Sequence, residues 1–217
     1  MLTLYGNPAS RANRVRWLLL ECQAPFRERE VEFGPGGTRS PEFLALNPNG
    51  HIPVLVDGDE VIVESVAICL YVARRYGGPL FPADWGQAAR AYQWPIWALS
   101  ELDRPLESAG AHHSWLPAAQ RSAQQASAAR AKLAHPLQIL QNELEERPYL
   151  AGPTFSVADI VVAEMMTASK AAGLDLGEFP AIRRWLVKCL SRPAARLALP
   201  EDALSDVVGQ GAPAPVS

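Results

Sequence analysis

The 217-residue chain reads as an α/β front domain of βαβαββα order, with a mixed four-stranded sheet, followed by an all-α back domain. Three observations predict this. Up to Gly77, short β-rich runs alternate with segments of helical period. The last two of those runs flank Asp57-Gly58-Asp59, a hairpin turn signature. From Asp84 to Arg196 the apolar residues keep a helical spacing and no convincing strand run occurs.

Leu2–Tyr5 is the first β-rich run, closed by Gly6-Asn7-Pro8. Ala12, Val15, Leu18, Leu19 and Cys22 then recur at helical spacing, with Arg11, Arg14 and Arg16 as the other face. Arg29–Phe33 is expected as the second strand, and Gly34-Pro35-Gly36-Gly37 closes it. A short helix around Pro41–Leu46 ends at Asn47-Pro48-Asn49-Gly50. Pro53–Val56 and Glu60–Val63 supply the hairpin. From Ser65, the positions Val66, Cys69, Leu70, Val72 and Ala73 mark a helix stopped by Gly77-Gly78-Pro79.

The switch of period across a Gly/Pro-rich stretch sets the expected organisation: a front domain over 1–77, a linker at 78–84, a helical domain over 85–200 and a frayed tail at 201–217. Helices are expected over Gly86–Ser108, Pro117–Glu146, Val157–Ala172 and Pro180–Ser191, with Pro95 kinking the first.

Composition narrows the function classes. Apolar content of 48%, charged content of 20% and a net charge of −3 describe an ordinary globular protein. No Lys/Arg cluster marks a nucleic-acid footprint, so nucleic acid is not an expected partner. The opening MLTLYGNPAS lacks the charged and apolar regions of a signal peptide. The best apolar stretch, Val157 to Met166, is interrupted by Asp159 and Glu164, so no membrane span is expected. Cys22, Cys69 and Cys189 are odd in number, widely spaced and set in apolar helical patterns. They read as small core residues in a reducing cytoplasm. His112 and His113 are adjacent and would face different ways on a helix, so no metal site is expected.

Four local motifs in order then carry a likeness. They are LYGNPASRANRVRW at the first strand–helix turn, NPNGHIPVL before the third strand, the Glu64-Ser65 step, and Thr154-Phe155-Ser156-Val157-Ala158-Asp159 opening a late helix. Over roughly residues 1–200 the chain resembles cytosolic glutathione transferases, of the bacterial-like, serine-type kind. The resemblance implies a thioredoxin-like front domain, a cytoplasmic homodimer and transferase activity toward an electrophilic small molecule. Glutathione would be the co-substrate, with no permanently bound cofactor.

It also implies a cis Ile52-Pro53 bond, so that Ile52 pairs its backbone with the cysteinyl part of an extended glutathione. At Glu64-Ser65 a strand hands over to a helix, whose free N–H groups and positive end suit a carboxylate. Ser65 would hold the γ-glutamyl carboxylate and Glu64 the α-ammonium. His51 stands where the family often has Lys or Gln near the glycyl end. Ser156 and Asp159 form a capping box at the start of an apolar helix, a folding device rather than a chemical one.

Ser10 lies where a CxxC motif sits in thioredoxin-type proteins, and the chain reads Ala9-Ser10-Arg11-Ala12. With no sulfur there, dithiol exchange at this turn is excluded. A hydroxyl can instead donate to a bound thiolate. Lowering a free thiol by about two pKa units takes about 2.7 kcal/mol, within reach of one charge-assisted bond and a helix dipole. The resemblance to serine-type transferases, with Arg14-Val15 behind the turn, makes Ser10 the candidate catalytic residue; helix capping is its other reading, and Tyr5, inside the strand, is the runner-up. Asn7, Arg11, Trp97 and His113 are candidates for the acceptor pocket, and Asp103 for a contact across a dimer. A non-catalytic glutathione- or ligand-binding protein of the same fold and a glutathione-dependent oxidoreductase or peroxidase are the alternatives.

Overall fold

The computed structural model describes residues 1–201, 203 and 204, so most of the expected tail lies outside the described residues. Strands β1 (Leu2–Gly6), β2 (Phe26–Glu30), β3 (Val54–Asp57) and β4 (Glu60–Val63) form one sheet in the order β2-β1-β3-β4. β1 and β2 are parallel and the other pairs antiparallel. Helices α1 (Ala12–Glu21), α2 (Pro41–Leu46) and α3 (Ser65–Tyr76) connect or follow these strands. The expected βαβαββα order is therefore present.

The second strand is the exception to the expected positions: it runs over Phe26–Glu30, not Arg29–Phe33. β1 sets its register, with Leu2 opposite Phe26 and Gly6 opposite Glu30. As a sheet edge it carries charged, exposed side chains at Arg27 to Glu30, which discourage pairing with other chains. Hydrophobic patterning therefore points too far along. Val31 is instead the anchor where the strand exits, donating its N–H to the Gly6 carbonyl, while Phe33 is exposed.

The helical half holds α4 (Trp85–Ala98), α5 (Arg104–Gly110), α6 (Ala123–Glu146), α7 (Val157–Met166), α8 (Pro180–Leu190) and α9 (Pro193–Ala198). The segment expected as one helix over Gly86–Ser108 is divided. Pro95 lies inside α4, and a π turn follows over Leu99–Asp103. Pro105 explains it: a proline at the second position of α5 has no N–H and crowds the carbonyl four residues back, which a widened turn accommodates. A second π turn spans Ala111–Trp115. α7 stops at Met166, short of the expected Ala172, and the Thr167 and Ser169 hydroxyls donate to the carbonyls of Glu164 and Met166. Such side-chain bonds compete with helix continuation. α9 has no counterpart among the expected helices, since Pro193 reads as a breaker unless it occupies the first helical turn, as here.

One hydrophobic core runs through both halves, from Leu2 and Leu4 on β1 through α1, α3, α4 and α7 to Leu190 on α8. Cys69 and Cys189 are buried within it and Cys22 packs against its edge. A small second cluster of Val31, Phe43 and Val54 packs on the other sheet face, under α2. α7 is buried almost all round, and Asp159 organises its start. The Asp159 carboxylate accepts from the N–H groups of Ser156 and Leu150, the Ser156 hydroxyl and the Trp185 indole. Burial pushes its pKa up to about 6 against these four donors. Ser156 and Asp159 thus form the expected capping box.

Two polar ties secure α1 and α3. Arg14 on α1, 2% exposed, donates from Nε to Glu164 of α7 at 2.6 Å. On β3, Asp57 accepts from the hydroxyls of Tyr76 at 2.6 Å and Tyr71 at 2.8 Å, with Arg75 3.3 Å away. The Tyr76 bond foremost, then Tyr71 and Arg75, hold the Asp57 carboxyl below its ordinary pKa despite its desolvation.

A carboxyl whose pKa is lowered by folding stabilises the protein above its unfolded value, about 3.9, and loses that contribution as pH falls through the folded value. Asp57→Asn is therefore expected to cost about 1–2 kcal/mol at neutral pH. Denaturant unfolding at a series of pH values should show the gap to wild type closing below about pH 4. A gap independent of pH would assign the cost to packing instead.

Candidate functional site

The site is built at three places where strands of the sheet hand over to loops or helices. At the first, Gly6 ends β1 so close to α1 that an added Cβ would lie 2.3 Å from that of Ala12. The turn that follows is held by Ser10. Its hydroxyl donates to the Asn7 carbonyl at 2.7 Å and accepts from the N–H groups of Asn7 and Ala12, both at 3.3 Å. One donor and two acceptor positions are all that a hydroxyl has, so Ser10 is saturated by the turn.

At the second place, Asn47 shapes the loop before β3. Its side-chain amide donates to the His51 carbonyl at 2.7 Å, its side-chain oxygen accepts from Asn49 N–H, and its backbone carbonyl accepts from Gly50 N–H. Gly50 has φ +63°, and a Cβ there would meet the Thr38 carbonyl at 2.8 Å. This loop delivers His51 exposed, Ile52 half-buried and Pro53 buried, with the Ile52-Pro53 peptide cis as expected.

At the third place, Glu64 adopts φ 67° and ψ 114°, one of two non-glycine residues with positive φ among the described residues. Such a conformation costs on the order of 1–3 kcal/mol and persists where its surroundings dictate it. Glu64 leads into α3 without capping it. By contrast α2, α4, α6 and α7 are capped by Ser40, Asp84, Ser122 and Ser156. The first N–H groups of α3 are left for another acceptor, beside a buried Ser65 hydroxyl. Ser65 accepts a long bond, 3.4 Å, from Arg14 Nη1.

These places converge on one groove of about 420 Å³. His51, Ile52, Pro53, Glu64 and Ser65 all line it, so the five expected binding residues are brought together. Arg11 joins them from the first turn, whereas Ser10 and Asn7 are not among the lining residues. Asn7 instead donates to the Val31 carbonyl and borders a separate cavity with Arg16 and Glu30. Trp97 packs edge-on against Trp94 with centroids 5.0 Å apart. His113 bonds the Ser114 hydroxyl and the Ala171 carbonyl, with its ring over Gly173. Neither lines the groove. Asp103 does meet the site within its own chain, at 2.8 Å from Arg11.

Sequence reasoning missed Asn47, Thr38 and Arg39 as parts of the groove wall. The signal for Asn47 was present, since an Asn before Pro-Asn-Gly is a turn-building residue. Thr38 and Arg39 reach the groove through a loop whose path no periodicity reveals. Among the described residues no group of three or more His, Cys, Asp or Glu side chains could hold a metal ion, and no helix is long and apolar enough to cross a membrane.

Comparison with known proteins gives a consistent outcome. The family models for the glutathione S-transferase N-terminal domain and C-terminal domain match residues 1–74 and 104–193. Disulfide-bond oxidoreductase YfcG of Escherichia coli (strain K12) is 32% identical, over 95% of this chain and 98% of that protein. Glutathione S-transferase 3 of Zea mays is 34% identical, over 89% of this chain and 90% of that one. The crystal structure of a theta class glutathione S-transferase from Xanthomonas axonopodis pv. citri, with glutathione bound, matches with a TM-score of 0.85 at 28% identity. It covers 91% of this chain and 96% of that one.

The strained Glu64 backbone yields a prediction. Glu64→Gly removes the steric cost of positive φ while adding unfolded-state freedom, so stability should stay within about 1 kcal/mol of wild type. Affinity for glutathione, measured by calorimetry, should fall about tenfold, or ~1.4 kcal/mol. A variant that binds normally would make the Glu64 side chain a bystander.

Proposed function

The chain belongs to the glutathione S-transferase family, and on that premise we propose how it works as a transferase. Glutathione lies extended in the groove between the Asn47–Pro53 loop and the start of α3. Its γ-glutamyl carboxylate takes the uncapped N–H groups of α3 and the Ser65 hydroxyl, and its α-ammonium pairs with Glu64. Ile52 pairs its backbone with the cysteinyl residue, and His51 stands at the glycyl end. The observation that carries this reading is the uncapped entry to α3 behind the positive-φ Glu64, a combination that no other described helix shows.

The thiol ionises at the β1–α1 turn and the sulfur attacks an electrophilic carbon. A carbon–sulfur bond forms, the electron pair leaves with the departing group or onto an adjacent acceptor atom, and the thiol proton goes to solvent. Proximity and a lowered thiol pKa supply the rate. Ser10 contributes by turning its proton from the Asn7 carbonyl to the sulfur, at the cost of one turn hydrogen bond.

A second reading has one observation behind it, the likeness to a protein named a disulfide-bond oxidoreductase. Its thiols would have to come from bound glutathione. Burial pushes the Cys22 thiol up to about 11 and the Cys69 thiol up to about 12, and raises Cys189 as well. None of the three lines the groove. Parallel assays against aryl halides, epoxides and activated alkenes, and against a glutathione mixed disulfide, separate the two. Conjugation should dominate in wild type, and Ser10→Ala should lower kcat/KM about tenfold, ~1.4 kcal/mol. Disulfide turnover without conjugation would overturn the transferase reading, and an unimpaired Ser10→Ala would remove Ser10 from it.

The protein acts as a homodimer through α4. Trp85, Tyr92, Ile96 and Leu99 are exposed at near-heptad spacing, Trp85 at 90% and Ile96 at 54%, a continuous apolar stripe that a lone subunit would leave wet. Tyr92→Glu with Ile96→Glu should sediment as a monomer while wild type sediments as a dimer; a dimer in both would place the interface elsewhere.

A further inference from the structure

Resting on the transferase reading, we propose that Arg11 donates hydrogen bonds to the glutathione sulfur, and that the helical half holds it in place through Asp103 and Glu107. Location and unspent donors both single it out. Of the β1–α1 turn, Arg11 lines the groove that also holds Pro53 and Ser65, and Ser10 does not. Ser10 can donate to the sulfur only by giving up its bond to the Asn7 carbonyl, since it has a single proton. A guanidinium carries five N–H donors in a rigid fork and does not lose its charge in proteins.

Both bonds that Arg11 makes run through one nitrogen, Nη2, to Asp103 at 2.8 Å and to Glu107 at 3.4 Å. Its Nε and Nη1 groups bond to none of the described residues, and the side chain stays 42% exposed. The fork is thus anchored at one corner with its other donors available to a bound anion. The anchor is well placed: the Asp103 side chain is 17% exposed, and Asp103 ends the π turn that Pro105 imposes. Glu107 is the looser partner, its side chain 60% exposed.

Other charges near Arg11 do not replace it. Glu164 of α7 senses both Arg11 and Asp103 but is spent on Arg14. Glu64 and His51 line the groove with it, and the proposed binding mode gives them to the ammonium and the glycyl end of the ligand. When the sulfur loses its proton to solvent, Arg11 remains protonated and only donates. The thiolate then shares a charge-assisted bond, stronger than the bond a neutral hydroxyl offers.

The test compares full-length wild type with Arg11→Ala, Arg11→Lys and Asp103→Asn. Ultraviolet absorbance of the thiolate gives the pKa of bound glutathione, and calorimetry with S-methylglutathione, which has no thiol proton, gives groove binding separately. Arg11→Ala should raise the bound thiol by about one pKa unit, about tenfold less thiolate at neutral pH, with S-methylglutathione affinity within about twofold. Arg11→Lys should restore part of the shift, since it keeps the charge without the fork. Asp103→Asn should also raise the thiol pKa, because it frees Arg11 to wander. A lower pKa in Asp103→Asn would mean that Asp103 only neutralises Arg11, and would overturn the positioning role. An unchanged thiol pKa in Arg11→Ala, in a protein that binds S-methylglutathione, would overturn Arg11 alone. Wild type that binds neither ligand would overturn the transferase reading together with it.

Discussion

Arg14 is an arginine with almost no access to water, and the protein is arranged around keeping it satisfied. Its guanidinium reaches Glu164 on α7 and Ser65 at the start of α3, so one side chain touches the first helix, the ligand groove and the helical half. Removing one member of such a buried pair costs about 3–5 kcal/mol, because the other charge is stranded out of water. Burial raises the Glu164 carboxyl, and the neighbouring guanidinium pulls it part of the way back. The result fixes how far α1 can move relative to α7. The groove cannot open along that line without exposing a charge to apolar surroundings.

Around that constraint, the step into α3 combines an uncapped start with a strained backbone. Four helices begin with an oxygen side chain on their free N–H groups, whereas α3, like α1, α5, α8 and α9, does not. Most positive φ angles fall on glycine, and Glu64 is an exception at the same step. α7 shows what the chain does when an end must simply be buried: Asp159 and Ser156 meet the backbone there, and Trp185 donates to the same carboxylate. The contrast is between a helix start closed by its own side chains and one left open at the groove.

Much of the fold was legible because local and long-range signals agreed. Pro41–Leu46, Glu60–Val63 and the Ser65–Tyr76 helix fall where turn residues and period place them. β2 was displaced because an edge strand exposes both faces of its charged residues and leaves no alternation to read. The π turn over Leu99–Asp103 was hidden because widening answers a proline that follows it, and Pro95 drew attention to an earlier position. In the site, the candidate binding residues were legible through the motifs of the family likeness, at loops and helix starts. The Arg11–Asp103 tie could not be read, since it joins residues far apart in sequence through side chains whose types are ordinary on a surface.

The shared core carries a consequence for how such a chain can be divided. The Gly/Pro-rich passage between α3 and α4 is a clean border by composition, yet α1 and α3 press their apolar sides on α7 across it. A gene cut at that border would yield two fragments, each with a wet hydrophobic face where the other had been. Trp17 is fully buried and packs on Phe155 of the helical half with ring centroids 6.2 Å apart, a cover the front fragment would lose. Modularity here belongs to the sequence pattern, while the burial of both apolar faces belongs to the undivided chain.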